Sequence, residues 1–143
     1  MIFKLSDEEA YELLAAGSFG HLGCTVDGEP YVVPISYVVE GEYAYMHSLP
    51  GKKLEGMQAN PRVCLQVEAV QGEYRWRSVH AFGAYEAIDD EHEVERAWGL
   101  LYARFPRLTP ADSVRRHGYL AEPSIVFRVH VDRVSGVGEG DAP

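Results

Sequence analysis

Residues 43–67 read YAYMHSLPGKKLEGMQANPRVCLQV. The stretch opens as a strand, Tyr43 to His47, and closes as another, Arg62 to Val67, both rich in aromatic and branched residues. One short helical run lies between them. It stops at Asn60-Pro61, because the residue before a proline is pushed out of the helical region. A strand–helix–strand unit implies a parallel α/β sheet only if it recurs along the chain. Here it does not. Upstream, FGHLGCTV (19–26) and YVVPISYVV (31–39) read as strands joined by a hairpin turn at Asp27-Gly28, and EYAYMHS (42–48) follows a turn at Gly41. Pro34 inside the second of these requires an edge, a bulge or a bend. Downstream, residues 62–70, YRWRSVHAFGAYEAI (74–88, with Gly83 as a bend) and SIVFRVHVDRV (124–134) are three more. Six short strands in hairpin succession predict a mainly β fold: an antiparallel barrel or sandwich with helices at its periphery.

The helices announce themselves by their caps. Ser6 with Glu9 forms a capping box opening a helix through Ala15, ended by Gly17. Asp90 with Glu93 opens a second, running to about Arg104 with Val94, Ala97, Trp98, Leu101 and Phe105 on one face. Thr109-Pro110 is expected to open a third that Gly118 ends. The tail GVGEGDAP is Gly-rich and acidic and is expected to be loose, which puts one domain over residues 1–136 and a flexible tail over 137–143.

Composition narrows the function classes. The chain has 143 residues, 46% hydrophobic and 24% charged, with a formal net charge of −9. That balance suits one globular domain and argues against nucleic acid as a partner, which calls for a basic surface. No apolar run is long enough to span a bilayer, and the N-terminus lacks the basic flank and cleavage site of a secretion signal, so a cytoplasmic protein is expected. Cys24 and Cys64 have no CxxC spacing and read as two buried thiols. The six histidines form no HExxH or tight cluster, so no metal site is expected.

Lys52 and Lys53 stand where they should not. The start of a helix carries unpaired N–H donors and positive potential, which favours Asp and Glu by about 0.3–1 kcal/mol each. A phosphate at that point would be held by the donors, the dipole and two mobile cations, with Gly51 allowing close approach. Two solvated surface lysines near a helix end are the other reading, and the motif by itself leaves both standing. PGKK is not a Walker A loop, so a nucleoside triphosphate is not implied.

Four pieces in order, GHLGCTVDGEPYVVPISYV, YMHSLPGKKLEGMQANPRVCLQVE, WRSVHAFGAYEAI and IVFRVHVDRVSG, cover most of the chain. Together they resemble the FMN-binding split-barrel family related to pyridoxamine 5′-phosphate oxidase, and within it the nitroimidazole-reductase-like branch. The resemblance implies a six-stranded antiparallel split β-barrel with Greek-key connections and peripheral helices, with FMN bound in a groove at a homodimer interface. It implies that Lys52 and Lys53 hold the phosphate. Pro34, Ile35, Ser36 and Tyr37 would lie along the flavin ring, with His47 and Ser48 facing the cofactor. Ser78 and Val79 would contact it near the ring or the ribityl chain. His47, which titrates near neutral pH as histidines do, is the candidate catalytic group and would offer a proton or a hydrogen bond. Trp76 is expected to be an interface or pocket wall, and Trp98 core.

Two departures bear on activity. Pyridoxamine phosphate oxidases proper resemble RxxLLK in the second strand, where this chain has VVPISY, and they end in an Arg-rich substrate segment, where this chain ends in SGVGEGDAP. Both argue against vitamin B6 oxidation. The expected activity is that of an FMN-dependent oxidoreductase passing electrons from NAD(P)H to a small electrophile such as a nitroaromatic. A non-catalytic flavin carrier or sensor, or a split barrel using deazaflavin or haem, is the alternative.

Overall fold

The computed structural model describes residues 1–107 and 124–142. The helix expected from Thr109 to Gly118 lies outside the described residues. The described elements are, in order, β1 (Ile2–Lys4), α1 (Asp7–Ala16), β2 (Phe19–Val26), β3 (Glu29–Ser36), β4 (Val38–Glu40), β5 (Tyr43–Ser48), α2 (Lys52–Ala59), β6 (Arg62–Gly72), β7 (Arg75–Ala87), α3 (Glu91–Arg104) and β8 (Ile125–Glu139). All pairings are antiparallel, in the order β3-β2-β6-β7-β8-β5-β4, with β1 added to β8.

The mainly β antiparallel fold is as expected, but the described residues form eight strands where six were predicted. Tyr37 accounts for one difference. Its N–H donates to Ser18 O at 2.9 Å and its hydroxyl to Leu14 O at 2.6 Å. That turns the chain inward and divides the predicted second strand into β3 and β4, which become the two free ends of the sheet path. The barrel is split at this point. The other difference is β1, which pairs Ile2 with Glu139, Phe3 with Gly138 and Lys4 with Val137. Three residues are too few to show a period in the sequence.

The same pairing corrects the tail. Val137, Gly138 and Glu139 belong to β8, not to a loose end. Gly140 N donates to Met1 O at 3.1 Å, Arg75 pairs with Asp141 at 2.6 Å, and Arg77 donates to Asp141 O at 2.7 Å. Gly and acidic residues signal a loop only when nothing supplies partners for the backbone, and here β1 and two arginines do.

The bend expected at Gly83 is present: the β7–β8 register shifts between Phe82 and Gly83, leaving Asp132 as the extra residue. A Cβ at Gly83 would stand 2.1 Å from His130 O, so the strands close tightly there. Asp27 and Gly28 both have positive φ, 53° and 79°, as a tight hairpin turn demands.

The inward faces of the strands make one core, with Leu22, Met46, Leu65, Val79, Ala81, Phe127 and Val129 fully or nearly fully buried and Leu14 of α1 capping it. A second, smaller core lies under α3, where Ala97 and Leu101 meet Tyr45 and Val126, flanked by Val94, Trp98 and Phe105. This is the face the spacing predicted. Among the described residues no helix is long and apolar enough to cross a membrane.

Candidate functional site at the start of α2

The helix α2 begins where the lysines do. Gly51 is its N-cap with no side-chain hydrogen bond, and Lys52 and Lys53 are its first two residues. The orientation of this helix start is set by Gly56, whose place a Cβ could not take without coming within 2.6 Å of Thr25 O. The helix therefore lies directly on β2, burying Leu54 and Met57.

The two lysines diverge. Lys52 is exposed beside a groove of about 350 Å³ that runs between α2 and the β2–β3 turn, lined also by Thr25, Asp27, Glu55 and Asn60. Lys53 is half-buried. Burial holds its ammonium below the ordinary lysine range, with the nearby Cys24 acting in the other direction. Its charge also reaches His47. Burial pushes the His47 imidazole below the usual histidine range, and Lys53 pushes it further the same way. The His47 ring rests on Trp98 at 5.3 Å, and its Nδ1 is buried with no hydrogen-bond partner among the described residues. Burial raises the Cys24 thiol. A buried polar atom without a partner is rare, and among the described residues no carboxylate forms an ion pair with Lys53. A ligand that brings an anion for the lysines and a hydrogen-bonding edge for His47 would suit both. The donor set thus fits a phosphate-bearing cofactor.

The structure distributes the other expected residues more widely. Ser48 adjoins His47 at the end of β5, its hydroxyl donating to Leu49 O at 3.0 Å. Pro34 is exposed and Ser36 half-buried on the outward face of β3. Ile35 points inward and is 6% exposed. Tyr37 and Val79 are fully buried core side chains, so only their backbone could face a ligand. The Tyr37 hydroxyl is spent on Leu14, and burial pushes it up to about 12. Ser78 lies outward on β7, where its Oγ accepts from Gln66 Nε2 at 3.0 Å. Within one chain the Lys53 charge reaches His47, while Ser78 lies on the outward face of β7.

Sequence reasoning missed three participants. Cys24 lies near Lys53, Gln66 orients the Ser78 hydroxyl, and Trp98 is both part of the α3 core and a wall for His47. The alternation of β6 could have flagged Gln66, since it is outward between Cys64 and Glu68, but the pairing to Ser78 depends on hairpin register. Cys64 is half-buried and outward, so the expectation of two buried thiols holds for Cys24 only. Cys64 pairs across from Gly23 and the two thiols face opposite sides of the sheet. Trp76 lines a cavity of about 300 Å³ with Arg75, Arg77 and Asp141, as a pocket wall would, and donates to Glu139 Oε1 at 3.0 Å. Among the described residues no three His, Cys, Asp or Glu side chains are grouped to hold a metal.

Comparison with known proteins places this geometry. Over 98% of the chain, the fold superposes on 99% of a FAD-binding protein from Mesorhizobium loti with a TM-score of 0.79 and 36% identity. A putative 5-nitroimidazole antibiotic resistance protein from Bacteroides thetaiotaomicron shares the fold at a TM-score of 0.74 and 22% identity, over 96% of this chain and 89% of that one. In sequence, an uncharacterised protein of Rhizobium meliloti (strain 1021) is 38% identical over 101 residues, 68% of this chain and 67% of that protein. Residues 6–137 match the family model described as pyridoxamine 5′-phosphate oxidase, and the chain belongs to that family.

Proposed function

We propose that the chain is a flavoprotein that binds FMN, with the flavin phosphate at the start of α2 and the ring system near His47. The observation that carries this reading is the buried Nδ1 of His47, without a hydrogen-bond partner among the described residues, within the electrostatic reach of a half-buried Lys53 at the start of α2. The 36% identical relative named as FAD-binding supports a flavin. FMN and FAD share the first phosphate, so the same clamp serves either.

In this reading the protein is a cytoplasmic homodimer that passes electrons from NAD(P)H to a small electrophile such as a nitroaromatic. The flavin supplies the two-electron chemistry, and the chain supplies binding and electrostatics. The α2 N–H groups and the lysines bind the phosphate. His47 is held neutral at pH 7, since burial and Lys53 both oppose its proton, so its part is to hydrogen-bond and orient rather than to deliver a proton.

The absorption spectrum of the purified protein, with the extracted chromophore identified, separates FMN and FAD from deazaflavin and haem. Affinity for FMN and riboflavin is then measured for wild type and the Lys52→Ala/Lys53→Ala double variant at fixed ionic strength. Charge-assisted hydrogen bonds are worth about 1.5–3 kcal/mol each, so FMN should bind on the order of a hundredfold more weakly to the variant. Riboflavin lacks the phosphate and should be much less affected. An unchanged FMN affinity, or equal losses for both ligands, refutes the phosphate clamp. Turnover of NAD(P)H with a nitro compound distinguishes an enzyme from a flavin carrier.

A further inference from the structure

His47 lies where the sheet is split. β4 pairs with β5 only as far as Val38, opposite Tyr45. From Met46 onward β5 has β8 on one side, with Val126 directly across from His47, and among the described residues no paired strand on the other. The last side-chain torsion of a histidine is broad, so a hydrogen bond or packing must fix the ring plane. No hydrogen bond does so at Nδ1 among the described residues. The ring contact comes from Trp98 of α3, with centroids 5.3 Å apart and planes at 45°. Trp98 is braced in turn by Tyr102, one helical turn on, stacked at 5.5 Å and 18°. The helix that carries both is tied to the sheet. Arg96 pairs with Glu40 of β4 and donates to the Tyr45 hydroxyl of β5 at 2.9 Å, and Arg128 of β8 reaches Glu93 at 3.5 Å. Ala97 and Leu101 are fully buried and fill the centre of the α3 core, while Trp98 is half-buried at its margin.

Resting on the flavin reading above, we infer that Trp98 is a positioning residue, whose indole holds the His47 imidazole with Nδ1 set in place to meet the hydrogen-bonding edge of the cofactor. A group fixed before binding loses less freedom on binding, so packing that locks the ring strengthens the bond the ring later makes. Without the indole, the imidazole could turn to bring Nδ1 to water, and the cofactor would have to reverse that turn. A flat aromatic face is what the role requires. Leucine would keep α3 apolar but would leave the ring plane unsupported, whereas phenylalanine would keep a face for the imidazole to rest on. The role reaches the cofactor only through His47, which sets it apart from general packing of the α3 core.

FMN affinity of the full chain and its variants is the first test. His47→Phe removes the nitrogen but keeps a ring against Trp98, and should weaken FMN about tenfold, the scale of one hydrogen bond. Trp98→Leu should weaken it by a similar factor, and Trp98→Phe by less than about threefold. Because Trp98 acts through His47, the His47→Phe/Trp98→Leu double variant should bind within about twofold of His47→Phe alone. Losses that multiply to about a hundredfold, or equal losses for Trp98→Leu and Trp98→Phe, overturn the inference and leave the flavin reading standing. The second test needs no cofactor. Nitrogen-15 NMR of the imidazole gives the His47 titration midpoint in the chain alone. Burial opposes the proton, so the midpoint should lie below 6.5 in wild type and in Trp98→Phe, and should rise towards that value in Trp98→Leu as the ring is uncovered. A midpoint that Trp98→Leu leaves unmoved overturns the inference by itself. Trp98→Met carries the same tests if circular dichroism shows Trp98→Leu to be unfolded. A wild-type chain that binds neither FMN nor FAD overturns the flavin reading and this role with it.

Discussion

Lys53, His47 and Tyr37 show how differently three polar residues can be handled within one small fold. Among the described residues His47 Nδ1 is buried without a partner, and the charge of the half-buried Lys53 reaches it; together they define the candidate site. The requirement of Tyr37 is met entirely inside the protein, by the Leu14 carbonyl at 2.6 Å. Tyr37→Phe removes that bond but keeps the ring, and the variant should be destabilised by about 1 kcal/mol, since Gly17 N–H remains as a second partner for Leu14 O. The pH dependence has a definite sign. The folded hydroxyl is raised from 10.0 to about 12, so above pH 10 the unfolded chain loses this proton first. Stability should therefore fall as pH rises from about 10 towards about 12 in wild type, and this component should vanish in Tyr37→Phe. Urea unfolding across that range tests it. VVPISY revealed that Tyr37 was special but not how: the resemblance put it along the flavin, and the structure puts its side chain in the core.

Among the elements, α2 and α3 offer a paired test of what a helical glycine is for. Gly56 of α2 lies against Thr25 O, where a Cβ would come to 2.6 Å of a backbone atom that cannot yield cheaply. Gly99 of α3 is exposed, and a Cβ there meets nothing within 4 Å among the described residues. Gly99→Ala should stabilise by about 0.5–1 kcal/mol through helix propensity. Gly56→Ala should destabilise by about 1–3 kcal/mol and, because it lifts the start of α2 off β2, weaken FMN as well. Thermal unfolding of the two variants, with FMN titration of the second, checks both. Element existence was largely legible: the α1 and α3 caps, β2 from Phe19 to Val26 and the bend at Gly83 all follow from local chemistry. The division of β3 from β4 was not, because Tyr37 is turned inward by contacts to Ser18 and Leu14, about twenty positions away in the chain.

For the whole molecule, the consequential feature is that the sheet is open between β3 and β4, the two ends of its strand path. If two copies form the working unit, part of the stability is bought by association, and the melting temperature should rise with protein concentration. Differential scanning calorimetry over about a hundredfold range of concentration at neutral pH gives the answer, and a concentration-independent melting temperature speaks against an obligate dimer. Long-range ties act at the same scale. Arg62 grips Asp132 with both nitrogens, at 2.6 and 3.4 Å, across the β8 bulge. Arg128 joins Glu86 and Glu93, and Arg96 joins Glu40 and Glu93, fastening α3 to the barrel. These pairs are largely exposed, so they orient more than they stabilise.

By itself the sequence determined the fold class, the three described helices, the caps that open α1 and α3, and the placing of two lysines at a helix start. These are local matters: period, turn chemistry and capping act over a few residues and need no distant partner. Only the tertiary structure decided which lysine is half-buried, that His47 Nδ1 lacks a partner among the described residues, that Tyr37 and Val79 are core, and that Val137 to Glu139 are strand. Each of those depends on what a distant segment brings alongside. Strand order and register in an antiparallel sheet set those neighbours, and a one-residue change in register would send every one of these side chains to the other face.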